Sequence, residues 1–294
     1  MKIAVFTKNR ENPAYAAARL GADRAAERLG ARTEHYVPQT ADDPVEQSAL
    51  VDAALETHPD AIAFTPTHPT ALNPAIAKIN AAGVPLVAYI NRPSAGRCAS
   101  FIGSDDYALA FEIANYLFER LRGQGDVVIL EGSPDSSTSI ERVRAFRDCA
   151  NAYPGVRIVA AANGRYLLEP ARAAMAQLLA EHARIDAILA ANDVMAMGAI
   201  ESLRAARRRA LMIGVNAIPQ AITAIKSGDM LATADFSAMS MASLAVECAI
   251  RHLRGERVPK EIMLPVQIVD RDNCALWDQP YAERECVSWA DVVH

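Results

Sequence analysis

The chain has 294 residues, of which 51% are hydrophobic and 22% are charged, and its formal net charge is −5. A sequence of this length and apolar content can fill the cores of two domains and is not a disordered chain. The acidic balance argues against a nucleic-acid surface, for which a basic face is expected. No apolar run approaches the ~20 residues of a membrane span.

The first hundred residues alternate between short apolar runs and helical patterns. Strands are predicted over 3–7, 32–37, 61–64 and 85–90, and helices over 13–29, 44–57 and 71–82. A repeat of strand and helix with short connections predicts a parallel sheet covered on both faces. The alternation pauses at 101–106, and a second α/β unit then begins.

The second unit contains the most informative stretch of the chain. Helices are predicted over 107–121, 140–152 and 170–181, and strands over 126–130 and 157–161. A strand over 186–191 then ends at Asn192, and a strand over 211–215 ends at Asn216. Ligands bind outside the carboxyl ends of strands in open parallel sheets, and an amide both donates and accepts hydrogen bonds. Asn192 and Asn216 are therefore predicted to lie at a ligand site.

The remainder of the chain is less regular. A helix over 219–226, a strand over 232–236, a helix over 239–253 and a strand over 266–269 are predicted, with Pro259 and Pro265 interrupting the pattern. The aromatic residues of the tail beyond 273 are expected to pack on the outside of a domain or to touch a hinge.

The familiar catalytic and cofactor motifs are absent from the sequence. The segment 7–13 contains no glycine, which disfavours a dinucleotide fold, and GxxxxGK[ST], GxSxG and HExxH do not occur. The five cysteines form no CxxC or Cys/His cluster, and a disulfide between Cys274 and Cys286 is left open. The six histidines share no spacing. No enzyme activity, cofactor or metal site is predicted.

In their order and spacing, several segments resemble the periplasmic-binding-protein type I family, the sugar-binding solute receptors of ABC transporters related to the ribose-binding protein. The resemblance covers 2–273, and its segments are 11–15, 89–93, 102–105, 140–146, 191–199, 213–216 and 226–229. It implies an α/β fold of two similar doubly wound parallel-sheet domains, joined by a three-crossing hinge with the ligand cleft between them. The implied lobes are 1–103 plus 237–266, and 104–236 plus 267–294.

Position by position, the resemblance also implies a ligand-binding set. Its hydrogen-bonding members are Asn12, Asn91, Arg92, Arg142, Asn192 and Asn216, its aromatic walls are Tyr15, Tyr166 and Phe236, and Lys8 and Asp235 complete it. Planar amides and guanidinium groups suit the hydroxyls at the edge of a sugar, and aromatic rings suit its C–H faces. Because Asp235 and Phe236 alternate on a strand, at most one of them is expected to face the ligand directly.

The set departs from the ribose-type pattern at several positions. Asn91 and Asn216 replace aspartates, Ala14 stands where an aromatic residue is common, and Lys8 places a cation where a small polar residue is expected. Aspartates accept charge-assisted bonds from sugar hydroxyls, which neutral amides cannot. A monosaccharide other than ribose, or an open-chain sugar alcohol, is therefore expected to fit at least as well.

The resemblance implies a monomeric solute-binding component of an ABC transporter, which delivers a small sugar or sugar alcohol to the permease membrane subunits and binds no nucleic acid. The alternative is the ligand-sensing domain of a sugar-responsive transcriptional regulator without its DNA-binding part. No signal peptide is recognised, since a strand follows Met1 directly. A periplasmic location is expected if a signal peptide has been removed, and a cytoplasmic one if the chain natively begins at Met1.

Overall fold

The computed structural model describes residues 1–293 and divides the chain into two compact units. Unit 1 comprises Met1–Ser104, Ser237–Pro265 and the tail from Tyr281, and unit 2 comprises Asp105–Phe236 and Val266–Pro280. The chain passes between units after Ser104, Phe236, Pro265 and Pro280. The tail had been predicted to belong entirely to the second lobe, but its part from Tyr281 onward clusters with unit 1.

The elements alternate along the chain. The strands are β1 (Lys2–Phe6), β2 (Arg32–Tyr36), β3 (Ala61–Phe64), β4 (Leu86–Tyr89), β5 (Ser100–Gly103), β6 (Gln124–Glu131), β7 (Gly155–Asn163), β8 (Ala187–Ala190), β9 (Leu211–Val215), β10 (Ala232–Asp235), β11 (Glu261–Met263) and β12 (Gln267–Asp270). The helices are α1 (Pro13–Arg28), α2 (Pro44–Glu56), α3 (Asn73–Ala81), α4 (Asp106–Arg120), α5 (Ser137–Asn151), α6 (Leu168–Glu181), α7 (Asp193–Ala205), α8 (Pro219–Ser227), α9 (Ala238–Leu253) and α10 (Trp289–Val292), with a 3-10 turn at Cys274–Trp277.

Unit 1 is built on a parallel six-stranded sheet in the order β11-β5-β4-β3-β1-β2. The central strands β3 and β4 are buried along their whole length, as near-continuous apolar strands covered by helices should be. Phe6 lies at the centre of the core, with its ring 5.0 Å from those of Tyr36 and Phe64. The short strands β5 and β11 were not predicted, because runs of four and three residues with polar or glycine members carry little apolar signal.

Unit 2 repeats this architecture with a six-stranded sheet in the order β12-β10-β9-β8-β6-β7. Its strands are parallel except for β12, which pairs antiparallel with β10. Strand β8 is buried along its length and leads directly into the α7 N-cap. Two α/β units with parallel sheets confirm the predicted fold class.

Specific hydrogen bonds explain why the tail joins unit 1. Arg24 of α1 donates to the carbonyl oxygen of Arg284 at 2.8 Å, and also to that of Ala282. The backbone N–H of Val287 donates to Ser240 Oγ at the start of α9 at 3.1 Å. The partner residues Arg24 and Ser240 lie far from the tail in sequence, so the local residue pattern of the tail does not predict these contacts. All five cysteines carry free thiols, including Cys274 and Cys286.

None of the helices in the described part of the chain is both long and apolar enough to cross a membrane.

Candidate functional site

The parallel strands of unit 1 bring several predicted binding residues to one edge of its sheet. Residues that follow the carboxyl ends of β1, β3 and β4 must share this edge, because neighbouring parallel strands run in register. Lys8 follows β1 and is only 2% exposed, and Asn91 follows β4 and is also buried. Asn12 is buried at the start of α1, and Tyr15 is half-buried one turn further on.

Asn12 caps the helix that begins beside this edge. Its Oδ1 accepts a hydrogen bond from Ala14 N at 3.0 Å, and its own backbone N–H donates to Asn9 Oδ1 at 3.0 Å. A capping amide of this kind is oriented by the helix, with its Nδ2 group outside the cap. Asn12 therefore caps α1 with its Oδ1, while the cap leaves its Nδ2 group able to donate to another partner.

Asn91 is held by an unusual backbone conformation. Ile90 before it has a φ of 61°, which is rare for a β-branched residue and marks local strain. Thr65 Oγ1 lies 3.4 Å from Asn91 Oδ1, which links the loops after β3 and β4. Tyr89 at the end of β4 donates from its hydroxyl to Phe6 O at 2.6 Å, and burial raises the pKa of this phenol.

Arg92 differs from the other predicted residues of unit 1 in its exposure. Its side chain is 55% exposed, forms an ion pair with Glu261 on β11, and lies 4.0 Å from the centre of the Phe101 ring. Those contacts hold Arg92 toward the β5 and β11 side of the sheet. Its part in ligand binding stays a prediction.

Gln47 organises this edge, although the sequence reading did not select it. The fully buried side chain donates from Nε2 to Thr65 O at 3.0 Å and accepts at Oε1 from Thr67 N at 2.8 Å. One signal in the sequence was available: Gln47, Val51 and Ala54 form the buried stripe of α2 at helical spacing, with Gln47 its polar member.

In unit 2, Arg142 joins three separate parts of the fold. It is 4% exposed, and it donates from Nε to Asp106 Oδ1 at 2.8 Å and from Nη1 to Ala191 O at 2.8 Å. Its guanidinium carbon also lies 5.5 Å from the centre of the Phe236 ring. On the exposed face of the same helix, Arg144 forms an ion pair with Glu141.

Asn192 and Tyr166 are also coupled to each other. Asn192 Oδ1 accepts from Met195 N at 2.9 Å and caps α7, while its Nδ2 donates to Tyr166 O at 3.3 Å. Tyr166 is buried with a φ of 62°, and its hydroxyl lies 2.9 Å from Thr138 Oγ1. A Cβ at Gly132 would overlap the Tyr166 ring, so only glycine allows this packing.

Asn216 follows β9 with a φ of 124°, and Ala217 after it has a φ of 51°. Positive φ angles at two consecutive non-glycine residues indicate a strained backbone turn. The backbone N–H of Asn216 donates to Ala234 O at 2.8 Å. Its Oδ1 is buried without a hydrogen-bond partner.

Asp235 is the last residue of β10 and Phe236 follows it, and their side chains contact different parts of unit 2. The ring of Phe236 lies beside Arg142, whereas Asp235 Oδ2 accepts a hydrogen bond from Trp277 Nε1 at 2.8 Å. These contacts place Phe236 beside Arg142 and Asp235 beside the 3-10 turn at Cys274–Trp277. Binding roles for both stay predictions.

Asp193 carries the most perturbed carboxyl group at this edge. Its buried carboxylate accepts hydrogen bonds from Thr233 Oγ1 at 2.7 Å and from Ile218 N at 3.0 Å. Burial raises its pKa to about 7, against the effect of those two hydrogen bonds.

Among residues 1–293, no group of three or more His, Cys, Asp or Glu side chains could hold a metal ion.

Comparison with known proteins identifies the family to which a chain with this fold belongs. The family model described as periplasmic binding protein domain matches residues 3–257, so the chain belongs to that family. This confirms the predicted resemblance, and the solved structures share the predicted α/β fold.

The similar proteins are sugar-binding receptors. The ribose import binding protein RbsB of Haemophilus influenzae is 26% identical over 267 residues, covering 91% of this chain and 90% of that protein. The D-ribose/D-allose-binding protein of Pseudomonas aeruginosa is 30% identical, covering 77% of this chain and 75% of its own. An ABC transporter periplasmic solute binding protein from Actinobacillus succinogenes with bound D-allose superposes with a TM-score of 0.88 at 26% identity, covering 93% and 99% of the two chains.

Proposed function

We propose that this chain is the solute-binding component of an ABC transporter and that it binds a small monosaccharide or sugar alcohol. In this proposal the solute occupies a cleft between the two units, and hinge closure removes it from water. The protein would act as a monomer in the periplasm and deliver its solute to the permease membrane subunits.

One observation carries the proposal. In a chain of this family, both units present buried amides at the carboxyl edge of a parallel sheet, Asn12 and Asn91 in unit 1 and Asn192 in unit 2. Arg142 adds a buried guanidinium in unit 2. Groups that donate and accept in fixed directions suit a ligand whose surface is covered with hydroxyls.

The relatives narrow the chemical class of the solute. Besides ribose and allose receptors, they include a xylitol-binding protein of Mycolicibacterium smegmatis, 26% identical over 229 residues, covering 77% of this chain and 66% of that protein. The neutral Asn91 and Asn216 are compatible with either a ring sugar or an open-chain polyol. The relatives named here are binding proteins, and none of them favours the transcriptional-regulator alternative.

A thermal-shift panel tests the proposal directly. D-ribose, D-allose, xylitol and myo-inositol would each be added to the protein, with sucrose at equal concentration as the control for general osmolyte stabilisation. A ligand at 100 times its Kd adds about 2.7 kcal/mol to the unfolding free energy. We expect one panel member to raise Tm well beyond sucrose; equal small shifts for all compounds would contradict the proposal.

A conservative variant tests the arginine. Arg142→Lys keeps the charge but cannot contact both Asp106 and Ala191 O, because lysine lacks the planar fork of donors. We expect the solute Kd to rise at least about tenfold and the unfolding free energy to fall by about 2 to 3 kcal/mol.

Arg144→Lys is the matched control, since Arg144 lies on the same helix with a side chain that is 56% exposed. That variant should stay within about 0.5 kcal/mol of the parent in urea unfolding. Equal behaviour of the two variants in binding and in stability would show that Arg142 has no special role.

A further inference from the structure

A further candidate binding residue in unit 1, outside the predicted set, is indicated by an unsatisfied hydroxyl. Thr67 is 6% exposed, and its Oγ1 is buried without a hydrogen-bond partner. Most buried polar side-chain atoms have such a partner, so an exception needs a physical explanation. Thr67 lies three residues after β3, at the same carboxyl edge of the sheet as Asn91.

Other threonines of this chain, from the exposed Thr223 to the buried Thr233, show how such a hydroxyl is usually satisfied. Thr57 donates to Ala54 O at 2.8 Å, Thr223 donates to Pro219 O at 3.1 Å, and Thr233 donates to Asp193 at 2.7 Å. Backbone carbonyls three or four residues earlier are common partners for threonine. Thr67 makes no bond of this kind.

The loop that carries Thr67 is fixed by the side chain of Gln47 on α2. Gln47 accepts from Thr67 N and donates to Thr65 O, and Thr65 is in turn linked to Asn91. Both the nitrogen and the oxygen of the Gln47 side-chain amide are thus used to fix the backbone of 65–67. The Thr67 hydroxyl is therefore presented on a rigid loop, which limits the entropy lost when a ligand binds.

Asn216 in unit 2 shows the same combination. It directly follows a parallel strand, and its Oδ1 is buried without a hydrogen-bond partner. An amide oxygen can only accept, so it requires a donor such as a hydroxyl group. The predicted site residue Asn216 and the unpredicted Thr67 therefore share one physical signature.

We infer that Thr67 Oγ1 binds a hydroxyl group of the solute and helps to determine specificity, with Gln47 as the positioning residue for its loop. This inference rests on the proposed function. A hydroxyl at Thr67 can donate to or accept from a polyol, and Asn216 Oδ1 can accept from one. Such a pair selects solutes that carry hydroxyls at both positions and rejects deoxy analogues, because a deoxy group leaves the protein atom unpaired.

Two variants at this position separate the hydroxyl from the shape of the side chain. Binding would be measured by calorimetry with whichever of D-ribose, D-allose, xylitol or myo-inositol stabilises the parent protein. Thr67→Val should weaken binding about tenfold, whereas Thr67→Ser keeps the hydroxyl and should stay within about threefold.

Stability without ligand provides an independent readout. Because the Thr67 hydroxyl has no partner, Thr67→Val should leave Tm unchanged or raise it. Thr57→Val is the matched control: it removes a hydroxyl that bonds Ala54 O, so it should lower Tm and leave solute affinity unchanged.

The outcomes separate the two proposals. Unchanged affinity of Thr67→Val for a sugar that binds the parent would overturn the role of Thr67 and leave the proposed function standing. A loss of Tm in Thr67→Val as large as in Thr57→Val would show that the hydroxyl is bonded within the fold, and would also overturn it. If no panel compound stabilises the parent, both the proposed function and this inference fail.

Discussion

Asp193 makes the unfolding free energy depend on pH in a way that can be calculated. Its carboxyl group is buried at the start of α7, with Asp235 and Arg142 as charged neighbours that act in opposite directions. Burial raises its pKa from 3.8 to about 7. The folded protein therefore keeps the Asp193 proton at pH values where the unfolded chain has already lost it.

The size and sign of the effect follow from linkage. A difference of roughly 3 units, from 3.8 to about 7, corresponds to about 4 kcal/mol at about 1.36 kcal/mol per unit. Because the folded pKa is raised, this stability is fully present below pH 4. It is lost as pH rises toward 7, at up to about 1.4 kcal/mol per pH unit.

The assay is urea unfolding of the parent protein and of Asp193→Asn at pH 5, 6, 7 and 8. The variant cannot ionise at this position, so its stability should lack the Asp193 contribution, while all other titrating groups contribute equally to both proteins. The gap between the two unfolding free energies should change by about 3 kcal/mol across this range, in favour of the variant at high pH.

Asp52→Asn is the control, because it removes the same formal charge from a side chain that is 49% exposed. Its unfolding free energy should follow that of the parent at every pH. If the curves for the parent and Asp193→Asn also run parallel from pH 5 to pH 8, the carboxyl group of Asp193 is already ionised in the fold at pH 5 and the reasoning is wrong.

Two further predictions concern packing and the tail. Gly198→Ala should lower the unfolding free energy by about 1 to 3 kcal/mol in urea, because a Cβ there would overlap Leu168 O of the neighbouring α6; a more stable variant, as helix propensity alone predicts, would contradict this. Arg24→Ala should speed tryptic cleavage after Arg284, because it removes the bonds to the carbonyl oxygens of Arg284 and Ala282; an unchanged cleavage rate would show that these bonds do not hold the tail.

Much of the fold was predictable because its signals are local. A strand buried on both faces reads as a short apolar run, as in β3 and β8, and each helix except α6 begins at a recognisable cap residue or proline. Polar residues directly after such strands, Asn192 and Asn216, could be assigned to the carboxyl edge of a sheet for the same reason, whereas Asn91 was selected through the family resemblance.

Other features depended on partners that are distant in sequence. Gln47 reads as one polar residue in an amphipathic helix, and only the fold brings it to the loop at Thr65 and Thr67. Asp235 is a predicted ligand residue, and only the fold shows that the indole N–H of Trp277, 42 residues away, donates to one of its oxygens.

The sequence by itself determined the order of strands and helices, the family, and the amides that follow the strands, since each is encoded within a few neighbouring residues. Tertiary structure alone decided which of those side chains are buried and bonded. It also decided that β11 completes the first sheet and that the tail from Tyr281 packs with unit 1. A hydrogen bond or strand pairing between distant segments does not change the hydrophobic pattern of either segment. Such a contact therefore cannot be predicted from local sequence and is known only from the folded structure.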